Sequence, residues 1–214
     1  SMTFDLNWEK EVYSKKKQIN EYPFDWVVAS TKKHIKNFKS KKVIEMGSGT
    51  GNNIYFFDKL GFKEIIGIEG SKSAVKIAKN RFKKSTKVKI ILDDFLNTNF
   101  PRNYFDLCVD RGSITHNNKK DIKKIIDNIN YFLKPGGFFF SSLFSMDHYA
   151  YSNKKFFFKK EINSNRGVIA SFFSESEIKE YFKKFKFISI ICEKTYEIKN
   201  KNKKNCWWYL ILQK

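Results

Sequence analysis

Apolar and polar residues alternate along the chain in two rhythms. Lys42–Met46, Glu64–Ile68, Val88–Leu92 and Phe105–Val109 are short apolar runs, and each gives way to Gly, Glu or Asp, the pattern of strands ending in turns. Between them the period lengthens to that of a helix. Asn52–Leu60 predicts a helix stopped by Gly61, and Ser71–Lys84 one with Ser71 as its N-cap. Asp121–Leu133 predicts a third, with Ile122, Ile125, Ile126, Ile129, Phe132 and Leu133 on one face and Pro135-Gly136-Gly137 as its stop. Phe138–Leu143 is a continuous apolar run, expected of a strand buried on both faces. About 30 irregular residues follow, then a helix near Glu175–Phe185. Two further strands are expected at Phe187–Glu193 and Cys206–Leu212, with polar Lys199–Asn205 as an exposed hairpin loop.

Strands that alternate with helices predict an α/β fold: an open, mostly parallel sheet with helices on both faces. The last two strands lack a crossover helix between them, so they are expected to pair antiparallel. Right-handed crossovers then gather the strand-to-helix loops at one edge of the sheet, where ligands bind. No repeat of 20 to 50 residues is present. No apolar run approaches the roughly 20 residues of a membrane span, and no basic-then-apolar leader occurs. A cytoplasmic location, with no membrane partner, is the expectation. Cys108, Cys192 and Cys206 are widely spaced, without a CxxC or Cys/His cluster, so neither a disulfide framework nor a metal site is expected.

Charge changes this picture less than its size promises. The 214 residues carry 42 Lys+Arg against 22 Asp+Glu, a net charge of +20. Only Arg81, Arg102, Arg111 and Arg166 are arginines; the other cations are lysines, which lack the planar fork that reads phosphates and base edges. Lys, Asn, Ile and Phe make up nearly half the chain, and all have AT-rich codons. Lys72, Lys76, Lys79 and Lys83 recur on one helical face opposite Ala74, Val75, Ala78 and Phe82, a solvated face over a packed one. A basic surface of this kind reports solubility before it reports function.

The chemistry concentrates at the strand ends. The first reads Glu45-Met46-Gly47-Ser48-Gly49-Thr50-Gly51, a glycine loop between a strand and a helix, with Asn52 next. Such glycines let the backbone approach a ligand, but the GxGxG spacing is not the GxGxxG of dinucleotide binders. The second strand ends in Glu69-Gly70, and a carboxylate there can hold both hydroxyls of a ribose. The third ends Asp93-Asp94-Phe95, able to accept from an adenine amino group and to pack its ring.

In order and spacing, these pieces resemble the class I S-adenosylmethionine-dependent methyltransferases, including bacterial small-molecule members, over roughly residues 30 to 214. The resemblance runs on through Phe105-Asp106-Leu107-Cys108-Val109-Asp110 to Leu133-Lys134-Pro135-Gly136-Gly137. It implies a seven-stranded sheet with a reversed C-terminal strand, and S-adenosyl-L-methionine as cofactor. It places Glu45 near the methionine amino group, Gly47, Gly49 and Gly51 beneath the cofactor, Glu69 on the ribose, and Asp94 and Phe95 at the adenine. Asp110 and Arg111 would line the methionine end, and Asn52 and Gly70 complete the cofactor set. Residues 1–29 would form an N-terminal cap, residues 30–214 one methyltransferase domain, and 145–173 a lid over the substrate.

An activated methyl donor asks the protein mainly to align the acceptor and exclude water, but a weakly acidic hydroxyl also needs a general base. His116, after the fourth strand, is the first candidate because imidazole takes up protons near neutrality. His148 is the alternative. Tyr13, Tyr22, Tyr149 and Arg166 are the candidate substrate contacts, Arg166 for an anionic group. The fourth strand does not end in an Asn/Asp-Pro-Pro-aromatic tetrapeptide and no Pro-Cys pair occurs, which points away from the main nucleic-acid methylating groups. The reading is therefore methylation of a small metabolite, O-methylation of a sugar or phosphorylated small molecule first. An RNA methyltransferase and a non-catalytic cofactor-binding scaffold are the alternatives.

Overall fold

The computed structural model describes residues 6–13, 19–151 and 169–214. Its centre is one sheet in the order β3-β2-β1-β4-β5-β8-β7, with a short β6 pairing β5 off that path. The strands are β1 (Lys42–Met46), β2 (Glu64–Glu69), β3 (Val88–Leu92), β4 (Phe105–Arg111), β5 (Leu133–Ser145), β6 (Phe172–Phe173), β7 (Lys186–Glu197) and β8 (Asn200–Gln213). All pairings are parallel except those of β8, which runs antiparallel to both β5 and β7. The expected reversed C-terminal strand is present.

Helices cover both faces. A short α1 (Leu6–Trp8) continues as a π-helical turn, Glu9–Tyr13, ahead of α2 (Asp25–His34), α3 (Asn52–Leu60), α4 (Lys72–Arg81), α5 (Lys119–Phe132) and α6 (Glu175–Tyr181). Strand alternation divides the core. Val43, Ile65, Leu107, Val109 and Phe140 pack with Val27, Ile54, Phe57, Val75 and Phe82 of the α2–α4 side. Ile44, Met46, Ile68, Cys108, Phe139 and Leu143 pack with Ile122, Ile125, Ile129 and Ile178 of the α5–α6 side. β5 is buried on both faces from Phe139 onward, as its unbroken apolar run requires.

Local chemistry sets the element ends. Ser71 caps α4 by accepting from the Ala74 amide at 3.0 Å, and Gly61 ends α3 in the left-handed conformation. Two boundaries differ from expectation. α5 starts at Lys119 because the Asn118 side chain accepts from the Asp121 amide at 2.8 Å and acts as the cap. Lys199–Asn205 is not mainly loop: β7 and β8 run on past the sheet as a two-stranded ribbon, pairing Lys194 with Cys206, Thr195 with Asn205 and Glu197 with Asn200. Its polar residues satisfied the backbone across the ribbon while staying exposed, so polarity marked solvent contact rather than a turn.

Candidate active site

β1, β2, β3 and β4 all end at the same sheet edge, and a cleft enclosing about 930 Å³, part of it open to solvent, lies there. Its wall includes Glu45, Gly47, Gly49, Asn52, Glu69, Gly70, Asp94, Phe95, Arg111, His116 and Tyr13 from the sequence-predicted set. These residues run from Tyr13 to His116 in sequence, and the fold brings them together.

The loop after β1 is shaped by its glycines. Gly47 has φ +73°, and a Cβ there would lie 2.0 Å from Ser113 Oγ. Gly49, at φ +55°, faces the cleft near the Tyr13 hydroxyl. Gly51 is different: its added Cβ would strike the Phe82 ring at 2.4 Å, so this glycine serves the packing of α3 on α4 and is not part of the cleft wall.

Glu45 is 2 % exposed and has one oxygen, Oε1, accepting from Asn53 Nδ2 at 2.6 Å. The other, Oε2, is shut off from water and has no hydrogen-bond partner among the described residues. Burial, with the Asp110 and Glu69 carboxylates nearby, pushes its pKa up to about 8 despite the Asn53 bond. Glu69 is equally buried, and burial raises its pKa too, opposed by backbone donors. Its Oε2 accepts from the Gly49 amide at 2.8 Å and its Oε1 from the Ser71 amide at 2.9 Å, tying the two loops together. Asp94 Oδ1 accepts from the Leu96 amide at 2.9 Å, and Phe95 packs its ring into the core beside it.

Asp110 does not reach the cleft. Alternation along β4 turns it to the α5–α6 face, where Oδ1 accepts from the Ser113 and Ile114 amides and Oδ2 from Ser141 Oγ. Burial raises its pKa to about 7 against those bonds. Arg111, one residue on, faces the cleft.

His116 stands at the mouth on a 3-10 turn, Ile114–His116. That turn is laced to the segment before β6: the Ser171 amide donates to the Thr115 carbonyl and Thr115 Oγ1 to the Ser171 carbonyl. His116 Nδ1 lies 3.0 Å from the Ile169 carbonyl, which can only accept, so Nδ1 carries the proton of the neutral ring and Nε2 is the basic nitrogen. Trp8 meets the same ring edge-on with centroids 5.2 Å apart.

The remaining candidates lie elsewhere. His148 is buried against Phe144, Tyr149 and Phe172, away from the cleft, and burial lowers its pKa to about 4. Tyr149 stacks on His148, and Tyr22 is 76 % exposed beside a separate surface hollow with Tyr55 and Arg81. Arg166 and most of the 145–173 lid fall outside the described residues. Asn53 was not singled out from sequence, although it organises Glu45 and accepts from the Phe24 amide at 3.1 Å. Its signal was a polar residue in the first turn of the helix that follows the glycine loop. Glu9 was missed as well: its carboxylate accepts from Ser71 Oγ and from Ser73 Oγ, docking the N-terminal turn on the start of α4.

Among the described residues no helix is long and apolar enough to cross a membrane, and no group of three or more His, Cys, Asp or Glu is placed to hold a metal.

Residues 43–137 match a family model described as a methyltransferase domain. Human EEF1A lysine methyltransferase 2 is 30% identical over 105 residues, covering 45% of this chain and 44% of that protein. Phosphoethanolamine N-methyltransferase of Plasmodium falciparum is 28% identical over 111 residues, covering 50% and 42%. The chain thus spans less than half the length of these curated relatives. Among solved structures, Haemonchus contortus phosphoethanolamine N-methyltransferase 2, in complex with phosphomonomethylethanolamine and S-adenosylhomocysteine, superposes with a TM-score of 0.76 at 19% identity, covering 97% of this chain and 59% of that one. An S-adenosylmethionine-dependent methyltransferase from Mesorhizobium loti gives 0.71 at 12% identity, covering 88% and 98%. At these identities the structural likeness speaks for the fold.

Proposed function

We propose that this chain, whose residues 43–137 match a methyltransferase-domain model, is a class I S-adenosylmethionine-dependent methyltransferase, and that its cleft binds S-adenosylmethionine and serves methyl transfer to a small-molecule acceptor, first a hydroxyl of a sugar or of a phosphorylated small molecule. The single observation that carries the cofactor part is the bare, buried Oε2 of Glu45. A carboxylate in that position is completed by a cationic donor such as an amino-acid ammonium.

The other residues fit the same group. Glu69 accepts backbone bonds from Gly49, Gly70 and Ser71, and its two oxygens retain a lone pair for a ribose hydroxyl. Gly47 and Gly49 present backbone alone, and Asp94 and Phe95 offer an acceptor and a ring at the far end. Bound there, S-adenosylmethionine supplies a methyl group already activated by a sulfonium. The chain's own work is then to position and to handle a proton. Trp8, Tyr13 and Phe24 enclose the mouth and exclude water. His116 Nε2 accepts the acceptor's hydroxyl proton, with Nδ1–H held on the Ile169 carbonyl so that the ring keeps its orientation.

A second reading, an amine acceptor, draws on the relatives named for lysine and phosphoethanolamine N-methylation. The test is a screen of cell extracts with the purified protein and isotopically labelled cofactor, the labelled product being identified by mass spectrometry. Label in an O-methylated small molecule supports the first reading and label on nitrogen the second. Label confined to RNA or to protein overturns both, and no S-adenosylhomocysteine release from any fraction leaves a binding scaffold. Once an acceptor is known, His116→Asn should lower turnover by about 10²–10⁴-fold with cofactor affinity unchanged. Unaltered turnover would remove the general base.

A further inference from the structure

The β7–β8 pair brings together two cysteines that stand fourteen residues apart in sequence. Cys192 Sγ lies 3.4 Å from Cys206 Sγ, and both are free thiols. Cys192 pairs in register with Trp208 and Cys206 with Lys194, so the cysteines are diagonal neighbours on one face of the two strands. Cys206 is fully buried; Cys192, packed at the edge of the α5–α6 core, is partly exposed. Lys194, facing Cys206 across the pair, sets an ammonium near both sulfurs and also pairs with Asp147. Cys108, the third thiol, is sealed inside the sheet.

Two thiols in contact, one reachable from solvent and one behind it, have the arrangement of an attacking and a resolving cysteine. Burial, with the Cys192 thiol beside it, pushes the Cys206 thiol up to about 11, against a bond to Ser145 and the Lys194 ammonium. Cys206 therefore stays protonated at neutral pH, and the first encounter with an oxidant falls to Cys192. Cross-strand geometry decides what kind of link can follow. A disulfide needs its sulfurs at about 2.05 Å, so the side chains must turn toward each other. Diagonal residues have Cα atoms about 7–8 Å apart, at the limit a disulfide spans with the backbone at rest. Closing the bond thus draws the two strands together, and a link held under such tension is readily opened by thiols. A reversible link fits this site, and a permanent one does not.

We propose that Cys192 and Cys206 form a reversible redox site, linked as a disulfide by hydrogen peroxide and released by a thiol reductant. Cys192, as thiolate, attacks one peroxide oxygen: an S–O bond forms and the O–O bond breaks. The departing hydroxide takes up the proton that Cys192 released and leaves as water. Cys206 then gives its proton to the oxygen of the Cys192 sulfenic acid and attacks the Cys192 sulfur. The S–S bond forms as S–O breaks, and a second water leaves. Two thiols and one peroxide become one disulfide and two waters, with two electrons passing from sulfur to oxygen. No step uses the cleft, so the site stands independently of the methyltransferase reading.

The test treats the reduced, folded protein with a slight excess of hydrogen peroxide, counts its thiols after denaturation, and maps its peptides by mass spectrometry without reduction. The count should fall from three to one, with the peptides of Cys192 and Cys206 joined and Cys108 free. Dithiothreitol should then restore all three thiols. Thiol loss should be roughly tenfold slower in Cys192→Ser, where only buried thiols remain. Cys206→Ser should halt at the Cys192 sulfenic acid, which dimedone traps, giving roughly tenfold more adduct than the wild type. A count that stays at three, a bond to Cys108 or between two chains, or a Cys192 oxidised beyond the sulfenic acid with Cys206 still free would each overturn the proposal. Equal rates in the wild type and Cys192→Ser would do the same. The wild-type count and map decide the matter even if circular dichroism shows that Cys206→Ser, at a buried position, does not fold.

Discussion

At the residue scale, Glu45 is where burial and chemistry meet. Its pKa of about 8 means that the carboxyl is largely protonated at neutral pH while the cleft is empty. A cationic ammonium needs the ionised form, so binding should release a proton. The affinity for S-adenosylhomocysteine is therefore expected to rise as pH increases from 6 toward 8, by up to about tenfold per unit for one linked proton. Titrations in buffers of different ionisation enthalpy would detect that proton, and Glu45→Gln should abolish both the release and the pH dependence. A pH-independent affinity in the wild type would remove Glu45 from the binding set. The identity of Glu45 was legible because an acid at the end of a strand, ahead of a glycine loop, is an unusual place to bury charge. Its state was not, because the pKa is raised first by burial and then by Asp110 and Glu69, sixty-five and twenty-four positions away, against the opposing Asn53 bond.

At the element scale, parity along strands decided which predicted residues share a site. Asp110 and Arg111 are adjacent, yet alternation on β4 sends one to the α5–α6 core and the other to the cleft. The glycine loop shows a similar division. Gly47→Ala demands a left-handed alanine and pushes Cβ into Ser113, so it should lower stability by about 1–3 kcal/mol and distort the cleft. Gly51→Ala meets Phe82 instead and should cost stability while disturbing cofactor affinity less. Thermal midpoints alongside S-adenosylhomocysteine titration would check the contrast; equal loss of affinity in both variants would contradict it. The ribbon formed by β7 and β8 was misread as loop because lysine and asparagine are poor strand formers by composition, whereas cross-strand pairing supplies what propensity does not.

At the scale of the whole molecule, buried titratable groups make stability depend on pH. Glu45 and Asp110 have folded pKa values raised above the ordinary carboxylate range, so the native state holds more protons than the unfolded state until about pH 8 and about pH 7. Their contribution is present at low pH and is lost as pH rises. His148 works the other way, its lowered pKa adding stability as pH rises toward 6.5, above which it is neutral in both states. Between about pH 6.5 and 8 the carboxylates therefore dominate, and the melting temperature of the ligand-free protein should fall across that window. Glu45→Gln should flatten the fall; a rising melting temperature in the wild type would contradict it. The net charge of +20 belongs to this scale too, as a property of the exposed lysine surface, but among the described residues the cleft's buried side-chain atoms without a hydrogen-bond partner belong to Glu45, Ser48 and Arg111. What the sequence by itself determined was local and periodic: the strand and helix rhythm, the caps at Ser71 and Gly61, the reversed final strand, and the acids and glycines at strand ends. What only the tertiary structure decided was which of those residues face one another. Whether Asp110 or Arg111 enters the cleft, whether His148 is buried, and what holds Glu45 and His116 in place follow from strand parity, register and burial. Those are relations between distant segments, and a side chain's charge state depends on them as much as on its own chemistry.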